Sequence, residues 1–148
     1  MSETVPTTGH KPMEAVHADD RPWETLRWPG QWSKMLFHPR LERPTEPNAG
    51  LVRYEPGSHH PFHQHDFAQV WYILEGEFEI GDATYGPGTM LFYPDPHSEP
   101  PLLTKTGGLM LFCQYQGPTT LVRCQRPRIS ASATRTPTPC RSSTTATT

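Results

Sequence analysis

The sequence predicts an all-β fold, either a sandwich or a barrel of short strands. Short runs of β-favouring residues alternate with glycine and proline turns, the pattern of such folds. Proline supplies 18 of the 148 residues, which argues against a helical bundle because proline breaks helix interiors. No heptad and no longer repeat is present. The length allows one ordinary domain and no second sizeable core.

Six runs rich in aliphatic, β-branched and aromatic residues are the predicted strands. They cover residues 34–37, 51–55, 69–75, 77–80, 90–93 and 109–115. The run at 69–75 has the strongest strand composition. Turns are predicted at Pro56-Gly57, at Gly81-Asp82 and at 86–88, where the residues are Gly-Pro-Gly.

The composition divides the chain into three parts. Residues 1–20 are polar and without period, and we expect a disordered arm. Residues 21–118 form the predicted β-barrel domain. Residues 119–148 contain nine threonines and four serines but no Phe, Trp or Tyr, which predicts a second disordered segment. This tail is either an ordinary disordered tail or the product of a change of reading frame after residue 118.

Charge and cysteine content exclude several classes of function. The tail holds five arginines and no acidic residue, so the remainder has 8 basic against 15 acidic residues, a net charge of −7. Such a body disfavours nucleic acid as a partner. No apolar run reaches the roughly 20 residues of a membrane span, and no signal peptide is found. Three cysteines without a CxxC pair fit a cytoplasmic protein.

Four histidines lie within seven residues, at positions 59, 60, 63 and 65. His63 and His65 are two residues apart, a spacing that puts both imidazoles on one face of a strand and makes a metal-ligand pair. His97 is the candidate third ligand, from a distant part of the barrel. The alternative is three unrelated loop histidines. We expect His59 and His60 to lie in a loop at the barrel mouth.

Two segments resemble the motifs of the cupin family. The segment from Gly57 to Gly76, GSHHPFHQHDFAQVWYILEG, resembles the first motif, G-x5-H-x-H-x3-E-x6-G. The segment from Gly86 to His97, GPGTMLFYPDPH, resembles the second. The resemblance covers about residues 21–118 and implies a cupin-type barrel, also called a double-stranded β-helix or jelly roll. The chain is similar to two kinds of small cupin, the ChrR-type anti-sigma cupin half and the small aryl-ketone or diketone dioxygenases.

The resemblance implies a metal site made by His63, His65 and His97, with Gln69 at the position of the family's glutamate ligand. Gln69 either binds the metal through its amide oxygen or supports a ligand from behind. Because three histidines and an amide are all neutral, we expect the metal to keep its full charge. That would weaken metal affinity and favour an anionic or chelating substrate such as an enolate.

Four aromatic residues are the candidate substrate contacts. Trp71 shares the face of Gln69 on the predicted strand, so it should point into the barrel. Tyr54, Phe92 and Tyr115 are further candidates for the cavity wall.

The resemblance implies an enzyme that binds a divalent ion, Fe(II) before Zn(II), and uses O2 to cleave a C–C bond in a small oxygenated substrate. The first alternative is a non-catalytic zinc-binding sensor of the anti-sigma type. The second is a cupin without metal whose role is binding only. A homodimer is expected from the same resemblance.

Overall fold

The computed structural model describes residue 9 and residues 11–115, and this part of the chain is almost entirely β-structure. One turn of 3-10 helix covers Ala18–Asp20. The first six strands are β1 Glu24–Thr25, β2 Gln31–Phe37, β3 Asn48–Tyr54, β4 His59–His60, β5 His63–His65 and β6 Ala68–Gly76. The other six are β7 Phe78–Ile80, β8 Ala83–Tyr85, β9 Met90–Tyr93, β10 His97–Glu99, β11 Leu102–Leu103 and β12 Gly108–Tyr115. This finding confirms the predicted all-β fold.

The strands form three antiparallel sheets in which strands that are distant in the sequence often lie side by side. The largest sheet has six strands in the order β1-β2-β3-β12-β6-β9. The second has four, in the order β4-β11-β7-β8, and β5 pairs with β10 in a short third sheet. Non-consecutive neighbours such as β3 and β12 are typical of a jelly roll, in which distant segments return to one sheet.

The apolar core lies between the six-stranded and the four-stranded sheets. Its buried members are Val52, Tyr54, Ile73, Phe78, Ile80, Leu102, Met110 and Phe112. Side chains alternate between the two faces of a strand, so the long strands β3, β6 and β12 each contribute every second residue. Ile73 and Phe78 have no exposed surface and form the centre of this core.

All six predicted strands lie within or overlap observed ones, and the strand at 90–93 has the same bounds. The strands that the sequence pattern missed are short ones, between two and three residues long, in a proline-rich context. Two or three residues carry no measurable alternation, which is why the pattern could not show them.

The segment before β1 contacts the barrel domain through Trp23, whose ring packs against Lys34 and Arg53, and through Glu14. The carboxylate of Glu14 pairs with the guanidinium groups of Arg40 and Arg43. The domain boundaries at residues 20 and 118 stay predictions, and the predicted tail, with Cys124 and Cys140, lies outside the described residues. No helix in the described part has the length and apolar character of a membrane span.

Gly76 is predicted to be intolerant of any side chain. Its φ is +84°, and a Cβ there would overlap the carbonyl oxygen of Gly107, where the end of β6 meets the turn before β12. We expect Gly76→Ala to lower the free energy of unfolding by about 3 kcal/mol or more, from backbone strain and overpacking together. Urea denaturation measures this loss.

Gly86→Ala is the matched control, since its Cβ would meet no atom within 4 Å and its φ is not positive. Its free energy of unfolding should change by less than about 1 kcal/mol. Equal stability of the two variants would contradict the close approach at Gly76.

Candidate metal centre

The short pair of β5 and β10 brings four ionisable side chains to one interior face. In the antiparallel register His97 lies opposite His65, and Glu99 lies opposite His63. Because side chains alternate along each strand, these four share the inner face. Gln64 and Ser98, the middle residues of the two strands, point outward, and Nε2 of Gln64 donates a hydrogen bond of 3.1 Å to Oγ of Ser98. The register therefore builds most of a site from two strands of three residues.

The carboxylate of Glu99 stands at the middle of this cluster. Its Oε1 lies 3.3 Å from Nε2 of His65 and 3.3 Å from Nε2 of His97. Its Oε2 lies 3.3 Å from Nε2 of His63 and 3.8 Å from Nε2 of His60, which comes from β4. One carboxylate is thus surrounded by four imidazole nitrogens. All five side chains are nearly buried.

Burial and shared charge set the protonation of the cluster. Burial works to raise the pKa of Glu99, but hydrogen bonds with His65 and His97 outweigh it and hold the pKa of this carboxyl well below its usual range. Burial lowers the pKa of His60 to about 4 and also lowers the pKa of His63. Burial opposes protonation of His97 too, but its hydrogen bonds to Glu99 and to the carbonyl of Pro94, together with the charge of Glu99, outweigh this and raise the pKa of His97. Near neutral pH the cluster therefore has an ionised carboxylate facing at least two neutral imidazoles.

Backbone carbonyls fix which ring nitrogen of two histidines faces the carboxylate. Nδ1 of His63 is 3.1 Å from the carbonyl oxygen of Pro61, and Nδ1 of His97 is 2.8 Å from that of Pro94. A carbonyl only accepts, so each Nδ1 must donate. In the neutral ring Nε2 is then a lone pair directed at an oxygen of Glu99. Two acceptors facing each other need a cation between them, either a proton or a metal ion.

The donor set of the cluster fits a divalent metal ion. Bonds of about 2.0–2.1 Å at tetrahedral angles place neighbouring ligand atoms roughly 3.3 Å apart, the separation found between Glu99 and three of the histidines. His60, His63 and Glu99, and likewise His65, His97 and Glu99, have ligand atoms within 4.8 Å of one another. Imidazole and carboxylate suit zinc, iron or manganese.

Gln69 is buried and contacts the carboxylate through its amide nitrogen. That nitrogen donates to Oε1 of Glu99 and lies 3.2 Å from Nε2 of His97. The amide oxygen is turned the other way and accepts a hydrogen bond of 3.1 Å from Nε2 of Gln114. Of the two roles left open by the sequence, this placement corresponds to the supporting one.

The structure brings together the three predicted histidines, His63, His65 and His97, and adds two residues to them. The expectation of a cluster without a carboxylate is wrong, because Glu99 provides one. The sequence contains one sign of Glu99: it lies two residues after His97, a spacing that puts both side chains on the same face of a strand. His60 was expected in a loop at the barrel mouth, and it lies instead within the cluster.

A cavity of about 290 Å³ opens beside the cluster. Its wall contains His60, His63, His65, Gln69 and Glu99 on one side. The rest is largely apolar or aromatic and includes Leu26, Trp28, Met35, Val52, Tyr54, Trp71 and Phe112. The cluster is therefore accessible to a small molecule.

Two of the four predicted substrate contacts reach this cavity. Trp71 and Tyr54 line it, as expected. Phe92 and Tyr115 do not, because their positions on β9 and β12 face away from the core, and they are 69% and 47% exposed. In β9 the neighbouring Leu91, packed against the core, occupies the inner face.

Comparison with known proteins agrees with this architecture. The family model described as the ChrR cupin-like domain matches residues 11–120. None of the curated proteins matches the chain. Among solved structures, an RmlC-like cupin from Shewanella frigidimarina has 20% identity and a TM-score of 0.60, covering 73% of this chain and 95% of its own.

Two further structures are similar in fold at low identity. An acetylacetone dioxygenase from Acinetobacter johnsonii has 11% identity and a TM-score of 0.57, with 78% of this chain and 80% of that chain covered. A structure of Rhodobacter sphaeroides SigE in complex with the anti-sigma ChrR has 19% identity and a TM-score of 0.52, with 66% and 50% covered. At these identities the likeness shows a shared fold.

Gln69→Glu tests the supporting role of the amide. The new carboxylate would meet Glu99, and we expect the repulsion between the two charges to raise the pKa of one of them above its unfolded value. A raised carboxyl pKa leaves stability intact at low pH and reduces it as pH rises through that pKa. We expect the free energy of unfolding of the metal-free variant to fall by about 1–3 kcal/mol relative to wild type between pH 5 and pH 8.

Gln64→Glu is the control, since Gln64 lies on the outer face of the same two strands and should show no such trend. Urea denaturation at several pH values, with chelator present, gives the comparison. Zn²⁺ binding that becomes tighter in Gln69→Glu, without the loss of stability at pH 8, would instead indicate direct ligation by position 69.

Proposed function

The chain belongs to the family of ChrR cupin-like domains, and from this premise we propose that it is a metal-dependent dioxygenase that cleaves a C–C bond in a small oxygenated organic substrate. The observation that carries the proposal is the cavity of about 290 Å³ whose wall includes His60, His63, His65 and Glu99 of the cluster. A purely structural metal site is closed by its protein ligands, whereas a catalytic one keeps positions open to substrate.

The size and chemistry of the cavity limit the substrate. Its volume lies near the lower limit for small-molecule sites, roughly 300–1,000 Å³, so the substrate is small. The apolar wall opposite the cluster favours a hydrocarbon or aromatic part. Fe(II) is the proposed ion, with Zn(II) as the alternative.

A bound Fe(II) would supply Lewis acidity and the electron chemistry that O2 requires. The chain's own residues would hold and orient the reactants. Glu99 and the histidines would provide the ligands, and the hydrogen bond from Gln69 would hold the carboxylate in place. With one divalent ion and one carboxylate the site keeps a single positive charge, which favours an enolate or another anionic oxygen ligand.

In the proposed function, polar groups of two residues that line the cavity would orient a substrate oxygen. Nε1 of Trp71 is buried and has no hydrogen-bond partner within residues 11–115. A buried indole N–H usually finds a partner, so a substrate carbonyl is a fitting acceptor. Burial raises the pKa of Tyr54, so its hydroxyl keeps its proton and stays available as a donor.

The second candidate function is a zinc-binding sensor. The specific observation in its favour is the match to the ChrR cupin-like family model, together with a solved structure in which ChrR is an anti-sigma factor bound to SigE. In that function zinc and a small ligand would occupy the site, and a protein partner would respond. A homodimer and a cytoplasmic location also stay predictions.

Elemental analysis followed by oxygen uptake separates the two functions. We expect anaerobically purified protein to hold iron, and the iron-loaded protein to consume O2 in proportion to the loss of a β-diketone such as acetylacetone or of a hydroxyaryl ketone. Both oxygen atoms of the consumed O2 should be found in the two cleavage products. Glu99→Gln should lower the rate at least about 100-fold by removing the charged ligand.

Glu75→Gln is the control, because Glu75 is exposed and loses the same charge. Firmly bound zinc, with no O2 uptake by the iron-loaded protein for any of these compounds, would overturn the dioxygenase and favour the sensor.

Trp71→Phe tests the proposed hydrogen bond to substrate. The ring is kept and the N–H is lost, so KM should rise about 5- to 10-fold, the equivalent of one hydrogen bond, while metal content stays unchanged. Steady-state oxygen uptake at varied substrate concentration measures this. An unchanged KM would remove Trp71 from substrate binding.

A further inference from the structure

The two oxygens of Glu99 face two different pairs of histidines. Oε2 faces His60 and His63, and Oε1 faces His65 and His97. Each oxygen with its pair makes a set of three ligand atoms that lie within 4.8 Å of one another. From this division we infer that the chain binds two divalent metal ions, with Glu99 as the carboxylate that bridges them.

The distances suit one ion in each set. Both histidines facing Oε1 are 3.3 Å from it, as neighbouring ligands of one ion should be. In the other set the distances are 3.3 Å and 3.8 Å, so His60 has only a few tenths of an ångström to move. Ions in two-metal sites lie about 3.5–4 Å apart, a span that one bridging carboxylate covers.

Each set has its own histidine fixed by the backbone. The Nδ1 of His63 donates to Pro61, and the Nδ1 of His97 donates to Pro94. The two free Nε2 lone pairs are directed at different oxygens of Glu99. There are therefore two separate places where acceptors face each other, and a single ion held by His63, His65 and His97 would leave His60 without one.

Aromatic side chains hold the two sets from opposite sides. The ring of Trp28 packs against His60 and His63, with centroids 5.1 Å from each. On the other side Tyr93 lies 5.0 Å from His97, and Phe67 lies 4.5 Å from His65. In either set, burying an imidazole in a fixed orientation without an ion would cost free energy, because its ring nitrogens need partners.

The two ions would differ in access. His60, His63 and Glu99 line the cavity, so the ion they hold can take a substrate oxygen. His97 is absent from the cavity wall, and the ion at His65 and His97 would be the more enclosed. Two ions sharing one carboxylate have a strongly positive charge, which selects an anionic, oxygen-bearing ligand bridging or adjoining them.

The two-ion centre rests on the proposed metal binding but not on the proposed reaction. The test uses the full chain, stripped with a chelator and titrated with Co²⁺ under argon. We expect the visible absorption to rise until two equivalents per chain, and metal analysis after gel filtration to give two. His60→Asn and His97→Asn should each bind one ion, and His59→Asn, an exposed neighbour, should still bind two.

A bridged pair of Co²⁺ ions couples magnetically, so the EPR intensity per ion should be lower in wild type with two ions than in either one-ion variant. Circular dichroism of each variant verifies that it is folded. One ion per chain in wild type and in both variants would overturn the second site and leave the proposed function standing. No bound ion in wild type would overturn both.

Discussion

The buried carboxylate of Glu99 is the constraint around which the site is organised. Moving an ionised carboxylate from water into a protein interior costs several kcal/mol even after relaxation. Here Glu99 is 5% exposed, and the amide nitrogen of Gln69 donates to it. Four imidazole nitrogens surround the carboxylate, and a cation shared with them would offset the rest of that cost. These groups come from four strands, β4, β5, β6 and β10, so the fold must hold all four strands in register for the charge to stay buried.

The architecture meets this requirement with very short elements. Strands β5 and β10 have three residues each, too few to be stable alone. The core between the two larger sheets, centred on Ile73 and Phe78, fixes strand β6, which follows β5 directly in the chain. The same β6 carries Gln69, which links the site to that core. Packing on one side of the barrel thus positions polar chemistry on the other.

The sequence predicted what depends on local spacing and missed what depends on register. The i, i+2 pair His63 and His65 and the two motifs located most of the cluster. Glu99 was missed because a strand of three residues beside prolines has no readable period. Phe92 was assigned to the cavity although its neighbour Tyr93 is the residue opposite Gln69. The cross-strand partners of a strand decide which alternate residues face inward. These partners cannot be identified from the sequence of the strand itself.

Positions 69 and 99 act as one unit. The family pattern has a carboxylate at position 69, and here an amide stands there while the carboxylate is at 99. Two carboxylates in contact would repel, whereas the amide nitrogen of Gln69 donates to Glu99 and its oxygen is satisfied by Gln114. The negative charge of the site is kept but moved into the midst of four histidines. A carboxylate at the edge of such a cluster would offer an ion one oxygen, and a carboxylate at its centre offers one oxygen to each side.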